Sequence, residues 1–151
     1  MLQKRAMTRT LLTIGYEGRT VDELIARLSD AGAELLIDVR AIAASRRPGF
    51  SKTALAGALR EAGIDYLHLR ALGTPKPGRE AARKGRAAEM REIFEAHLES
   101  PEADLAFEQA HAAALERRSA LLCFERDPAC CHRTIVAERL VERSGFEVLP
   151  L

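Results

Sequence analysis

The sequence predicts a single α/β domain of three layers, in which a mostly parallel sheet carries helices on both faces. Strand and helix patterns alternate from one end of the 151-residue chain to the other. The strand patterns are nearly all apolar, which is typical of parallel strands buried on both faces. We assign residues 10–151 to this domain, and residues 1–9 to an N-terminal extension in which we expect disorder.

The first 63 residues contain two strand patterns, each followed by a helix. The apolar run LLTIGYEG is stopped by glycines, and TVDELIARLSDAG behind it has apolar residues at helical spacing. Thr20 and Glu23 form a capping-box signature at the start of that helix. ELLIDV is the second strand, and SKTALAGALREAG is a helix that ends at Gly63.

Three further strands are predicted after residue 63: IDYLHL, SALLCFE and a short closing strand, FEVLPL. Between the first two, a Pro/Gly loop leads into one long charged helix that extends to about Leu98, and PEADLAFEQAHAAALERR forms another helix. The last helix is predicted in CHRTIVAERLVERSG, after Asp127 as N-cap and Pro128 in the first turn. Cys131, His132 and Arg133 then lie in or near that turn.

The net charge is only +1, but the charges are distributed unevenly. Residues 40–91 contain twelve Lys and Arg against four Asp and Glu, whereas residues 92–116 contain seven acidic residues and no Lys or Arg. The near-zero total argues against bulk attraction to nucleic acid or membranes, while the basic half suits an anionic ligand. The acidic half is typical of a solvated helical face.

We expect a cytoplasmic protein with no membrane partner, because no apolar run approaches the roughly 20 residues of a membrane helix. The three cysteines, an odd number, do not form a disulfide framework, so we expect reduced thiols. Because the cysteines and the neighbouring histidine are bunched and not spaced as ligand pairs, we also expect no metal. The sequence indicates neither a cofactor nor an oligomeric state.

Ligands of parallel sheets bind beyond the carboxyl ends of the strands, where loops and helix N-termini meet. Four of the predicted strands end in polar, titratable or glycine-rich residues, and we expect these ends to form one rim. The third strand ends in His68 and leads to Lys76, Arg79 and Arg83, a basic segment that is a mobile lid, a nucleic-acid contact or a solvated helix. The turn GYEG after the first strand would let a ligand approach the backbone, although a tight turn with an exposed Glu17 is an equal alternative. The candidates are Tyr16 and Glu17 after the first strand, Asp38 and Arg40 after the second, and Glu125, Cys131, His132 and Arg133 after the fourth.

The loop SRRPGFSK, which follows the second strand, concentrates positive charge with no acidic residue to balance it. Guanidinium groups match phosphate or carboxylate oxygens bidentately. Taken alone, the loop favours a solvated Arg46 and Arg47. Together with Arg40 and Arg133 from other loops, Ser45 and Arg46 favour an anion site.

The stretch CFERDPACCHR carries the most reactive side chains. A cysteine at a helix start beside His132 and Arg133 would be activated as a nucleophile, which makes Cys131 a catalytic candidate. His132 or Glu125 is the alternative, as a general acid or base. A small buried side chain is the other interpretation of Cys131, and packing is the interpretation of the other two cysteines.

Five motifs occur in order between about Thr13 and Leu140: TIGYEG, DVR, SRRPGFSK, GIDYLHLRALGTPKPGREAAR and LLCFERDPACCHR. In these motifs the chain resembles the bacterial and archaeal family DUF488, a domain of unknown function. The resemblance implies an α/β fold and a set of motif residues, but no established reaction. A proline usually follows DVR in the family, and Ala43 stands there in this chain, which loosens the loop that carries Ser45. The motif residues are Asp38, Arg40, Ser45, Arg46, Phe50, Cys123, Glu125, Cys131, His132 and Arg133.

Two hypotheses from different functional classes follow. The first is an enzyme that acts on a phosphorylated or nucleotide-like substrate. Its site would contain three groups of residues, in this order: arginines that bind the anion, a general acid or base, and an acidic residue that orients one of the arginines. These roles fall on Arg40, Arg46 and Arg133, on His132 or Glu125, and on Asp38. The second is a non-catalytic module that binds a nucleotide or nucleic acid through the same basic rim. An aromatic content of only 5% favours the first hypothesis, because few side chains are available for base stacking.

Overall fold

The computed structural model describes residues 9–126 and 131–151, and these form one five-stranded parallel sheet with six α-helices around it. The strands are β1 (Thr10–Gly15), β2 (Leu35–Asp38), β3 (Asp65–His68), β4 (Ser119–Cys123) and β5 (Glu147–Pro150). The helices are α1 (Val21–Asp30), α2 (Lys52–Glu61), α3 (Lys76–Arg83), α4 (Ala87–His97), α5 (Pro101–Glu116) and α6 (His132–Ser144), with a 3-10 turn at Arg70–Leu72. The predicted α/β fold is confirmed.

The strand order is β3-β2-β4-β1-β5, which places β4 at the centre of the sheet. Leu121 of β4 stands opposite Thr13 of β1 on one side and opposite Ile37 of β2 on the other. The chain runs from β1 to β3 through α1 and α2, and it returns from β3 to β5 through the remaining helices. Since α1 and α2 pack on one face of the sheet and α3 to α6 on the other, the loops after the neighbouring strands β1 and β4, or β2 and β4, leave the sheet towards opposite faces.

Each face of the sheet has its own apolar core. On β2, Leu36 points into the core with α1 and α2, whereas Ile37 points into the core with α3 to α6. This is the alternation expected of a strand buried on both faces. The first core also contains Leu12, Leu24, Leu28, Leu55, Leu59 and Leu122. The second core also contains Leu11, Phe94, Ala106, Leu121, Ile135 and Leu140.

The long charged helix predicted up to Leu98 is two helices, α3 and α4. Gly85 separates them with a φ of +74°, in the left-handed region that side-chain-bearing residues rarely adopt. At the start of α6, the N-cap is Cys131, whose Sγ accepts from the backbone N–H of Arg133. Asp127, the predicted N-cap, and Pro128 lie outside the described residues, but the placement of Cys131 and Arg133 at the helix start is confirmed.

The capping box of α1 is also confirmed: the Thr20 hydroxyl accepts from the Glu23 N–H, and the Glu23 carboxylate accepts from the Thr20 N–H. Within residues 9–126 and 131–151, no helix is long and apolar enough to span a bilayer.

Candidate functional site

A pocket of about 120 Å³ opens beyond the carboxyl end of β4. The loops after β1 and β2 lead to helices on one face, whereas the chain after β4 leads to α6 on the other. Such a divergence opens a crevice at the end of the sheet, which is where α/β proteins bind ligands. The polar residues that line the pocket are Tyr16, Arg40, Thr74, Arg79, Glu125 and His132.

A buried ion pair between Asp38 and Arg40 forms the base of this region. The Arg40 Nε lies 2.9 Å from Oδ1 of Asp38, and Nη2 lies 2.7 Å from Oδ2. The backbone N–H of Arg40 and the hydroxyl of Tyr66 also donate to the same carboxylate. Burial, together with the negative charge of Asp38, raises the pKa of Tyr66. The Asp38 carboxylate is thus held in place by hydrogen bonds from Arg40 and Tyr66.

Arg40 has little capacity left for a ligand. Besides Asp38, its guanidinium donates through Nη1 to the carbonyl of Phe50 and to the hydroxyl of Tyr16. These bonds occupy four of the five N–H donors of an arginine. Tyr16 is itself fixed by stacking on Phe50, with ring centroids 4.5 Å apart. Arg40 consequently orders the pocket wall, with at most one donor available to an anion.

The two arginines of the loop SRRPGFSK differ: Arg47 is bonded to the protein backbone, and Arg46 is exposed. Arg47 donates to the backbone carbonyls of Tyr16 and Arg19, which ties the loop to the turn after β1. Ser45 accepts from the backbone N–H of Arg47 and so supports the same turn. Arg46 is exposed, and neither it nor Ser45 lines the pocket. The turn residue Glu17 is also exposed and accepts from a backbone N–H.

Arg133 lies behind the pocket and not in its lining. It is only 2% exposed, and its guanidinium donates to the backbone carbonyls of Glu125 and Arg126. In the structure Arg133 holds the loop after β4, and its direct contact with an anion stays a prediction. The backbone at Gly15 is packed against the Glu125 carbonyl so closely that a Cβ there would clash with it. Glu125 is thus fixed from two sides.

Glu125 projects into a partly buried environment, and burial raises the pKa of its carboxyl group. Its Oε2 lies 3.1 Å from Sγ of Cys123. A carboxyl with a raised pKa is suited to carry a proton at a site of proton transfer.

His132 is neutral in this environment. Its burial lowers the pKa to about 4, and the nearby positive charge of Arg133 acts in the same direction. The Nε2 atom lies 2.7 Å from the carbonyl of Val39, so Nε2 carries the proton and donates it to this bond. The imidazole also packs edge-on against Phe94. His132 therefore links α6 to the end of β2 in addition to lining the pocket.

Cys123 and Cys131 are joined by a disulfide. This corrects the expectation of reduced thiols: the odd number of cysteines argued against a framework, but the fold brings the end of β4 to the start of α6. The ligand atoms of Cys123, Cys131 and His132 are grouped within 4.8 Å, as in a metal site. While the disulfide is closed, both sulfurs are engaged and are not available as thiolate ligands. The absence of a metal stays a prediction, which metal analysis of the protein would check.

Arg79 is the pocket arginine with donors to spare. It lies in α3, half-buried, and its Nη1 donates to the carbonyl of Thr74 at 2.8 Å. Among the described residues no carboxylate forms an ion pair with it. Arg40, by contrast, is neutralised by Asp38. Arg79 thus brings to the pocket a positive charge that no carboxylate in residues 9–126 or 131–151 pairs with.

Some of the residues predicted from the sequence lie together at the pocket, and others lie outside it. The structure brings Tyr16, Asp38, Arg40, Glu125, His132 and Arg133 together, with Cys131 bonded to Cys123 beside them. Ser45, Arg46 and Glu17 lie outside the pocket lining. Thr74 was not among the candidates, and Arg79 was expected at the rim only as part of a basic segment, with no role of its own. Ile42 and Phe124, which flank the pocket, were missed because nothing in the sequence distinguishes an exposed apolar residue from a core residue.

The fold and the pocket define a parallel α/β domain with a polar site at the carboxyl ends of its strands. The family model of DUF488, a domain of unknown function, matches residues 20–140. The chain belongs to the DUF488 family. No match is found among curated proteins or among solved structures.

Proposed function

We propose that the pocket binds the anionic group of a small phosphorylated substrate, and that Glu125 acts on this substrate as a general acid or base. The observation that carries the proposal is the guanidinium of Arg79, which lines the same pocket as Glu125 and forms no ion pair with a carboxylate of the described residues. A guanidinium binds phosphate oxygens through charge-assisted hydrogen bonds. This moves the anion-binding role from Arg46 and Arg133 to Arg79.

The volume of the pocket limits what it holds. At about 120 Å³, it has room for a phosphate group but is well below the roughly 300 Å³ at which sites for whole drug-sized ligands begin. The remainder of the substrate then lies at the mouth, against Ile42 and Phe124. These side chains are 58% and 42% exposed and are among the few large apolar residues that face solvent. A planar ring, as in a nucleotide or an aryl phosphate, would pack against Phe124.

Glu125 supports the catalytic part of the proposal. Burial raises the pKa of Glu125, so at a given pH its carboxyl group is protonated more often than an exposed glutamate. The protonated carboxyl does not repel an anion and has a proton to donate to a leaving group. Asp38 is unsuited to this role because its carboxylate is engaged by Arg40 and Tyr66. Binding should weaken as the pH rises through the pKa of Glu125, since the deprotonated carboxylate then repels the anion.

Calorimetric titration with inorganic phosphate and phenyl phosphate tests the proposal. Arg79→Gln should weaken binding of both by about 10- to 100-fold, which corresponds to about 1.5–3 kcal/mol. Arg83→Gln is the matched control, because Arg83 is exposed on the same helix and does not line the pocket. Phenyl phosphate should bind more tightly than phosphate, and Phe124→Ala should remove that difference. Equal losses from Arg79→Gln and Arg83→Gln would refute a role for the pocket.

A second candidate, a nucleic-acid binding module, is favoured by exposed cations around α3. Lys76, Arg83 and Lys84 are exposed and form no ion pair with a described carboxylate. In that case, affinity for an oligonucleotide should fall steeply with salt, and Arg83→Gln should reduce the slope of this dependence by about one. The pocket variant Arg79→Gln would then have no larger effect than Arg83→Gln.

A further inference from the structure

Cys123 and Cys131 approach the pocket from different elements. Cys123 is the last residue of β4 and lines the pocket, whereas Cys131 is the N-cap of α6 and does not. The two residues are only 1% and 2% exposed. A reagent that enters the pocket therefore meets the sulfur of Cys123 and not that of Cys131.

Both sulfurs have polar neighbours that suit the reduced state. Sγ of Cys123 and Oε2 of Glu125, 3.1 Å apart, have the geometry of a thiol that donates to a carboxyl group. Sγ of Cys131 accepts from the backbone N–H of Arg133 in the first turn of a 13-residue helix. Nη1 of Arg133 also lies 3.5 Å from Sγ of Cys123. A helix N-terminus and a nearby guanidinium stabilise a thiolate, and a stabilised thiolate is a good leaving group in thiol–disulfide exchange.

We propose that Cys123 and Cys131 form a reversible disulfide, which a low-molecular-weight thiol opens from the pocket by attacking Cys123. The attacking thiolate forms a bond to Sγ of Cys123, the bond between Cys123 and Cys131 breaks, and its electron pair leaves on Cys131. A second thiolate then attacks the external sulfur of the mixed disulfide and releases Cys123, which takes a proton from solvent. Overall, two external thiols are oxidised to one disulfide and the protein disulfide is reduced to two thiols.

This inference does not depend on anion binding by Arg79, and it makes Cys123 a modification site. In the variant Cys131→Ser, Cys123 lacks its partner and should accept one glutathione from oxidised glutathione. In Cys123→Ser, the remaining Cys131 should react roughly tenfold more slowly or not at all, because it does not line the pocket. The reverse order of reactivity would refute attack from the pocket.

The test uses the full chain with Cys130→Ser, so that only the two cysteines of the pair are counted. The protein is equilibrated, with a metal chelator present, in buffers that contain reduced and oxidised glutathione, and free thiols are then alkylated and counted by mass spectrometry. We expect no free thiol in oxidised glutathione and two in millimolar reduced glutathione, with the native near-UV circular dichroism retained. Peptide mapping at early times should find the first glutathione on Cys123, which tests the order of attack even if a Cys→Ser variant fails to fold. Two outcomes would overturn the proposal: a disulfide that resists reduced glutathione until the chain is unfolded, or two free thiols in both buffers.

Discussion

Arg133, in the first turn of α6, donates a hydrogen bond to the backbone carbonyl of Glu125, in the loop after β4. The guanidinium is buried and also bonds the carbonyl of Arg126 at 3.3 Å. One side chain at the start of α6 thus provides hydrogen-bond donors for two backbone carbonyls in the loop after β4. We infer that Arg133 positions Glu125 without touching the contents of the pocket.

Replacing Arg133 with Met should destabilise the fold by roughly 2–4 kcal/mol, because the carbonyls of Glu125 and Arg126 lose their buried donor. Urea unfolding at neutral pH measures the loss. Arg139→Met is the control on the same helix, where Arg139 forms a half-exposed ion pair with Glu95, and it should cost about 1 kcal/mol or less. Similar small losses in both variants would show that the bonds of Arg133 are not needed for stability.

Asp38→Asn should destabilise the protein by about 3–5 kcal/mol, because it leaves the buried guanidinium of Arg40 without its counter-charge. Asp65→Asn provides a matched comparison, since Asp65, the first residue of β3, forms an exposed ion pair with Arg117. Its loss should stay within about 1 kcal/mol. Chemical denaturation of both variants gives the two numbers, and a cost for Asp38→Asn as small as that for Asp65→Asn would contradict the importance of the buried pair.

Gly15→Ala and Gly57→Ala should change stability in opposite directions. A Cβ at Gly15 would clash with the carbonyl of Glu125, so Gly15→Ala should cost about 1–3 kcal/mol and displace Glu125. A Cβ at Gly57, inside α2, meets no atom within 4 Å, so Gly57→Ala should stabilise by about 0.5–1 kcal/mol. Thermal melts distinguish the two signs, and a stabilising Gly15→Ala would exclude the close packing of the β1 and β4 ends.

His132 should make the fold sensitive to acid. Burial lowers the pKa of the folded-state imidazole to about 4, whereas the unfolded value is about 6.5. Between these values the unfolded chain binds more protons, so stability is complete above about pH 6.5 and falls as the pH decreases towards 4. The full contribution is roughly 3 kcal/mol.

His132→Gln isolates this effect, because glutamine retains a donor for the Val39 carbonyl but does not titrate. Urea unfolding of both proteins should show that the stability of the wild type, relative to that of the variant, falls by roughly 3 kcal/mol between about pH 6.5 and pH 4. Parallel curves would mean that His132 is protonated in the folded protein at its ordinary pKa.

The three inner strands and their burial could be predicted because the apolar runs around Leu12, Leu36 and Leu121 are short, continuous and bounded by polar or glycine residues. The burial expected of the closing strand is wrong, because β5 lies at the edge of the sheet and its residues are exposed. The division of the charged helix at Gly85 could not be predicted, because the residues from Arg83 to Arg86 are polar and show no helical spacing of apolar residues. A single glycine in such a segment is compatible with either a helix or a break.

For the site, the strand-end rule brought Arg40, Glu125 and His132 to one place. It could not tell which arginines have free donors, because Arg40, Arg47 and Arg133 each donate to a backbone carbonyl that another part of the chain supplies. Such bonds depend on the packed loop conformations and leave no pattern in the sequence. Arg79 was expected at the rim together with Lys76 and Arg83, but within a basic helix nothing in the sequence marks which of the three faces the pocket.

The most direct test of the anion site is a crystal structure of the protein soaked with phosphate. We expect a phosphate in the pocket, with an oxygen about 2.7–3.0 Å from the guanidinium of Arg79 and the remaining oxygens within reach of Thr74 or Glu125. The same soak of Arg79→Gln should leave the pocket without phosphate. Phosphate bound at Arg46 or on the exposed face of α3, with none beside Arg79, would contradict the proposed site.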